Sequence, residues 1–183
     1  MVTMYQQALD DLAAVFTRIN GTEVDRSVAA LAAARRIALY GVGREGLQIK
    51  GLAMRLHHLG LSASVVGDMN TPPLGRGDLL VVSAGPGFFS TVAALMKTAT
   101  DAGAQTLCIT AQPDGACPRV ADIVLTIPAQ TMANDSGPAT SVLPMGSLFE
   151  GAEYVLFECL VLKLREALKV DPEAMRANHT NLE

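Results

Sequence analysis

Seven residues, Tyr40-Gly41-Val42-Gly43-Arg44-Glu45-Gly46, restrict the fold of this chain more than any other stretch. A compact apolar run, Ile37-Ala38-Leu39-Tyr40, precedes the glycines and has the length of a buried strand. Leu47, Ile49, Leu52, Ala53, Leu56 and Leu59 follow, mostly three or four apart, which predicts a helix. A glycine-rich passage from strand to helix gathers backbone N–H groups at a helix N-terminus, where an anion is stabilised. The glycines permit positive φ and close approach of a ligand. The plain alternative is a tight strand–helix turn with no ligand, which any parallel sheet needs.

The literal pattern is G-x-G-x-x-G, and Asp68 falls where a dinucleotide fold places its ribose-binding acid. Two features weigh against a nicotinamide or flavin protein. The motif follows a long helical N-terminal segment instead of opening on the first strand. A chain of 183 residues also leaves no room for a separate catalytic domain. The expectation is one domain and no cofactor.

Half the residues are hydrophobic and 17% are charged, which predicts surface buried between subunits. A net charge of −4 without any basic run argues against a nucleic-acid partner. The longest apolar stretch, Tyr154 to Leu164, is too short to span a membrane and is interrupted by Glu158 and Lys163. Asp10, Asp11 and Arg18 break any signal-peptide core in the first twenty residues. Cys108, Cys117 and Cys159 are odd in number and lack metal-ligand spacing. Composition therefore predicts a reduced, cytoplasmic protein with no structural metal.

Residues 4–19 and 23–35 carry apolar positions at helical spacing. Strands are expected at 36–40, 62–66, 79–83, 106–110 and 123–127, the third almost continuously apolar, as a strand covered on both faces should be. A second glycine turn, Ala84-Gly85-Pro86-Gly87-Phe88-Phe89, leads into a helix over 89–102. Residues 129–146 are polar and rich in Gly, Pro, Ser and Thr, and read as a loop at the ligand face. A long helix runs from Ser147 to Leu168, and Asp171-Pro172-Glu173 starts a short one. Strands alternating with helices imply a five-stranded parallel sheet in a three-layer α/β sandwich. In the order 2-1-3-4-5 the two glycine turns lie side by side at the carboxyl ends of the strands, where such folds bind ligands.

The chain resembles the sugar isomerase (SIS) domain and, within it, the 6-phospho-3-hexuloisomerases. The resemblance rests on Tyr-Gly-Val-Gly-Arg at 40–44, Ala-Met-Arg-Leu-His-His-Leu-Gly at 53–60, Val-Val-Gly-Asp at 65–68, Thr-Pro at 71–72 and Gly-Asp-Leu-Leu at 77–80. Its most specific pieces are Pro-Met-Gly-Ser-Leu-Phe-Glu at 144–150 and His-Thr-Asn-Leu-Glu at 179–183. It implies a single SIS domain with N-terminal helices (1–35), a sheet core (36–128), an active-site loop (129–146) and C-terminal helices (147–183). It implies an isomerase working through an enediol, in a homo-oligomer, a tetramer with sites between subunits. Glu150 corresponds to the family's proposed catalytic glutamate. His179 becomes its acid/base partner, on an arm that completes a neighbour's site. Substrate contacts are expected from Gly41, Gly43, Arg44, Glu45, Asn70, Thr71, Ser83, Gly85, Gly87, Ser90 and Thr91.

The phosphate loops depart from the family. The first loop's serine is Glu45 here, and the second loop's serines correspond to Ala84 and Pro86, its glutamate to Phe88 and its threonine to Phe89. Each lost hydrogen bond to a charged group is worth roughly 1.5–3 kcal/mol, so weak phosphate binding is expected. Plain structural roles compete for most of the candidates. Ser147-Leu148-Phe149-Glu150 also reads as a capping box. Arg55 suits a surface salt bridge, His57 and His58 an exposed helix end, and His179 a solvated terminus. Phe88 and Phe89 read as core or interface residues. Two function classes thus stand beside the cofactor reading: a sugar or sugar-phosphate isomerase, and a non-catalytic SIS-fold protein that binds a small metabolite.

Overall fold

The computed structural model describes residues 2–135 and 141–182. Five parallel strands, β1 (Ile37–Gly41), β2 (Ala63–Val65), β3 (Leu79–Ser83), β4 (Gln105–Thr110) and β5 (Ile123–Thr126), pair in the order β2-β1-β3-β4-β5. The expected architecture and strand order are both found. β2 is shorter than the sequence suggested, because only Ala63, Ser64 and Val65 pair with β1.

Alternate residues of each strand serve opposite faces. Ile37, Leu39, Leu79, Val81, Leu107 and Ile109 point into one core, shared with α1 (Met4–Phe16), α2 (Gly21–Ala33), α3 (Gly43–His58) and α5 (Ser147–Leu168). Ala38, Leu80, Val82 and Cys108 point into a second core under α4 (Ser90–Asp101). Burial on both faces explains the uninterrupted apolar reading of β3. Ser83 has the parity of Leu79 and Val81, so it faces α3 and α5. That places a hydroxyl in an apolar layer, where it requires polar partners.

Short side-chain links fix the frame. Asp78, buried at the head of β3, takes Arg35 at 3.0 Å, Arg36 at 3.2 Å and the Gly75 N–H at 2.9 Å. These bonds hold the Asp78 carboxyl below its ordinary range despite burial. Asp171 caps the short helix α6 (Pro172–Ala177) by accepting from Ala174 N, as its sequence predicts. Cys108 and Cys117 are buried, and Cys159 is exposed on α5. Among the described residues no group of His, Cys, Asp and Glu has the makings of a metal site, and no helix is long and apolar enough to cross a membrane.

Candidate active site

The helix after the first glycine turn starts inside the motif. Gly43, at φ +59°, is its first residue, and Gly46 lies in its first turn. A Cβ on Gly46 would come within 2.6 Å of Gly41 O, and one on Gly41 within 2.9 Å of Gly46 N. The two glycines thus serve close packing of α3 on β1. Gly41 pairs in register with Ser83 across the β1–β3 ladder. The contact of Gly41 with Gly46 therefore sets Glu45 down over Ser83.

Glu45, expected to contact substrate, is 7% exposed. Its Oε2 lies 2.6 Å from Ser83 Oγ and accepts the Gly85 N–H at 3.0 Å. The second glycine loop thus gives Gly85 N–H to an internal carboxylate. Gly85 must lack a side chain here, since a Cβ would meet Glu45 Oε1 and the Phe149 ring, each at 2.9 Å. Burial pushes the Glu45 carboxyl above its ordinary range, outweighing the bonds from Ser83 and Gly85 that pull it down.

A cleft of about 550 Å³ opens between the starts of α3 and α5 and the β3–α4 turn. Glu150 stands in it on the first turn of α5. The expected capping box does not form. Gly146 is the N-cap, with no side-chain cap bond, and Ser147 is the first helical residue. Arg44 bonds both side chains instead: its Nη2 is 2.6 Å from Glu150 Oε2 and 3.0 Å from Ser147 Oγ. Glu150 is thus a carboxylate at the wall of the cleft, held in place by Arg44.

The other sequence candidates scatter. Asn70 is exposed in the β2–β3 connection, and Thr71 donates to Val65 O at 2.7 Å; neither lines this cleft. Gly87, at φ +86°, packs so closely on Gly115 that a Cβ would meet Gly115 Cα at 3.0 Å. Ser90 and Thr91 are exposed at the start of α4, and Pro86 and Phe89 line the cleft from that side. Phe88 is 52% exposed and so is not a core residue. His179 stacks on His58, ring centroids 5.1 Å apart. His58 is consequently buried, not the exposed helix end that its neighbour Gly60 suggested. Arg55 does form the expected ion pair, 2.7 Å from Glu158.

One residue escaped the sequence reading. Glu153, on α5, is 0% exposed, and its Oε1 lies 2.6 Å from Ser83 Oγ. Burial drives its carboxyl well above the ordinary range, and the charges of Glu45 and Glu150 add to that push. A signal was available: Glu153 falls beside Ala152 and three residues before Leu156, on the apolar face of its helix. Of the loop at 129–146, residues 136–140 lie outside the described residues; Thr131, Met132 and Met145 line the cleft.

The sequence profile of the SIS domain matches residues 30–151. The chain belongs to the SIS domain family. Among curated SIS relatives, the 3-hexulose-6-phosphate isomerase of Bacillus subtilis is 32% identical over 165 residues, 90% of this chain and 89% of the relative. The enzyme of the same name from Mycobacterium gastri is 39% identical over 148 residues, 81% of this chain and 74% of that one. A solved Methanococcus jannaschii structure, from which a 3-hexulose-6-phosphate isomerase function was inferred, has a TM-score of 0.84 at 23% identity, covering 98% of both chains. That likeness carries the fold, and the glycine turns and Glu150 lie within the matched SIS segment.

Proposed function

We propose that the protein is a sugar isomerase of the 3-hexulose-6-phosphate isomerase type, moving a ketose carbonyl to the neighbouring carbon through an enediol. The relatives named above support the reaction class. The observation that carries the reading is Glu150, held at the cleft by Arg44 at 2.6 Å. Glu150 removes the proton from the carbon beside the carbonyl and returns it to the carbon that bore the carbonyl. Arg44 fixes the carboxylate and lends positive charge beside the developing enediolate.

The whole chain acts as one SIS domain in a cytoplasmic homotetramer. α3 spans 16 residues, a rise of about 24 Å from the cleft to His58. His179, stacked on His58, therefore reaches a cleft only in another copy, where it binds the sugar. The second reading, metabolite binding without turnover, is favoured by Glu45, which takes the Gly85 N–H that a ligand phosphate would use.

The test is an assay on 3-hexulose 6-phosphate and unphosphorylated ketohexoses, with exchange of substrate-carbon deuterium into water. Turnover that Glu150→Gln abolishes, with exchange lost alongside it, is expected. Undiminished exchange in that variant removes Glu150 from the chemistry. Binding without exchange in the unmodified protein establishes the second reading.

A further inference from the structure

Ser83 Oγ is within 2.6 Å of two carboxyl oxygens, Glu45 Oε2 and Glu153 Oε1. A hydroxyl has one proton to donate. It can satisfy one of these oxygens; the other short contact has to be a donation into the serine lone pair. One of the two carboxyls therefore carries a proton. Otherwise two anionic oxygens would crowd one hydroxyl in an apolar layer, with lone pair facing lone pair.

The surroundings decide where that proton rests. Glu45 Oε2 has a second donor in Gly85 N–H, 3.0 Å away. Glu153 Oε2 has no hydrogen-bond partner among the described residues, and the side chain is fully buried. The resting chain is thus Glu153 O–H donating to Ser83 Oγ, and Ser83 O–H donating to Glu45 Oε2. Moving each proton along its own hydrogen bond reverses the arrangement. Glu45 becomes the acid and Glu153 the anion, with no change in total charge. Of these three residues Glu45 lines the cleft, in company with Arg44 and Glu150.

We propose that Glu45 is the acid and base for the sugar oxygens in this site, and that Ser83 passes it a proton stored on Glu153. The proposal rests on the isomerase reading above, and it gives Glu45 the acid role that the family resemblance implied for His179. In the first half, Glu150 takes the proton from carbon and the C–H pair becomes the enediol double bond. Glu153 passes its proton through Ser83 to Glu45, and the carbonyl π pair takes that proton from Glu45. In the second half the neighbouring hydroxyl returns its proton to Glu45, and its O–H pair forms the new carbonyl. The double-bond pair takes the proton held on Glu150, and the proton count of the three residues is restored. Glu45 is the group at the substrate; Ser83 and Glu153 act through it.

Two measurements on the intact protein test this. The first is infrared spectroscopy of the resting protein at neutral pH. A protonated-carboxyl band is expected, lost in Glu153→Gln and kept in Glu45→Gln, where the amide oxygen still accepts from Ser83. No such band, or a band that survives Glu153→Gln, overturns the stored proton. The second is steady-state kinetics. In Glu153→Gln the new amide can still donate to Ser83 Oγ but cannot release its proton. A merely structural carboxyl therefore tolerates the change, whereas the relay predicts a kcat loss of about a hundredfold with KM unchanged. Wild-type kcat in Glu153→Gln overturns the relay and leaves the isomerase standing. A protein that isomerises no sugar at all overturns the isomerase reading and the acid role of Glu45 together, whatever the infrared band shows.

Discussion

Glu45 replaces a hydroxyl with an acid, and most of what is particular to this site follows. The glutamate was visible in the sequence, because it sits in a recognisable motif. Its partner was not. Glu153 lies in an otherwise apolar helical face, and periodicity alone does not say which strand residue that face will meet. Ser83 shows the converse: its place at the end of an apolar run marked it, but its two carboxyl contacts depend on the α3–β1 and α5–β3 packing. Replacing Glu45 with serine, the family residue, should free the Gly85 N–H and remove a negative charge. One to two recovered hydrogen bonds predict a gain of roughly ten- to a hundredfold in affinity for inorganic phosphate or a sugar phosphate. Calorimetric titration of Glu45→Ser beside the unmodified protein checks this; equal affinities would show that Glu45 does not guard the loop.

At the scale of elements, the helices and strands were legible because each carries its own period, and the local caps were less so. Ser147 and Glu150 have the spacing of a capping box, yet neither makes a cap bond and both bond a cation from another element. No local rule contains Arg44, which is 103 residues from Ser147 in the chain. Arg44 is half exposed, so its pair with Glu150 adds less than about 1 kcal/mol to stability. Arg44→Ala should therefore leave the melting temperature nearly unchanged while lowering kcat by roughly tenfold or more, on the order expected for a misplaced catalytic group. Parallel thermal melts and kinetics separate the two effects. Gly46→Ala should behave in the opposite way. Its methyl would press within 2.6 Å of Gly41 O, forcing α3 off β1 at a cost of roughly 1–3 kcal/mol. Urea denaturation midpoints measure that loss, and an unchanged midpoint would show that the helix slides freely on the strand.

For the whole molecule, the strand order was legible because alternation of strands and helices leaves few topologies, and right-handed crossovers leave fewer. Buried carboxyls give that fold a pH dependence of two opposed signs. Glu153 binds its proton more tightly folded than unfolded, so stability falls as pH rises above the ordinary glutamate range and the unfolded chain alone releases the proton. Glu153→Gln should flatten that slope, raising the melting temperature relative to wild type at pH 8 more than at pH 4. Asp78 has the reverse sign: its carboxyl is depressed by Arg35, so the stability it contributes is present above the ordinary aspartate range and is lost as pH falls through the folded value. Melts of wild type, Glu153→Gln and Asp78→Asn across that range read the two slopes separately, and parallel curves for wild type and Glu153→Gln would place the proton elsewhere. The cysteines have a consequence of a different kind. Cys108 is pushed up to about 12 by burial, Cys117 is buried beside it, and Cys159 stands exposed on α5. A maleimide dye at neutral pH will therefore choose one atom on one helix. Chains labelled with donor and acceptor dyes and then mixed exchange energy only if two α5 helices come close, so Cys159 is a built-in gauge of whether copies pair along that helix.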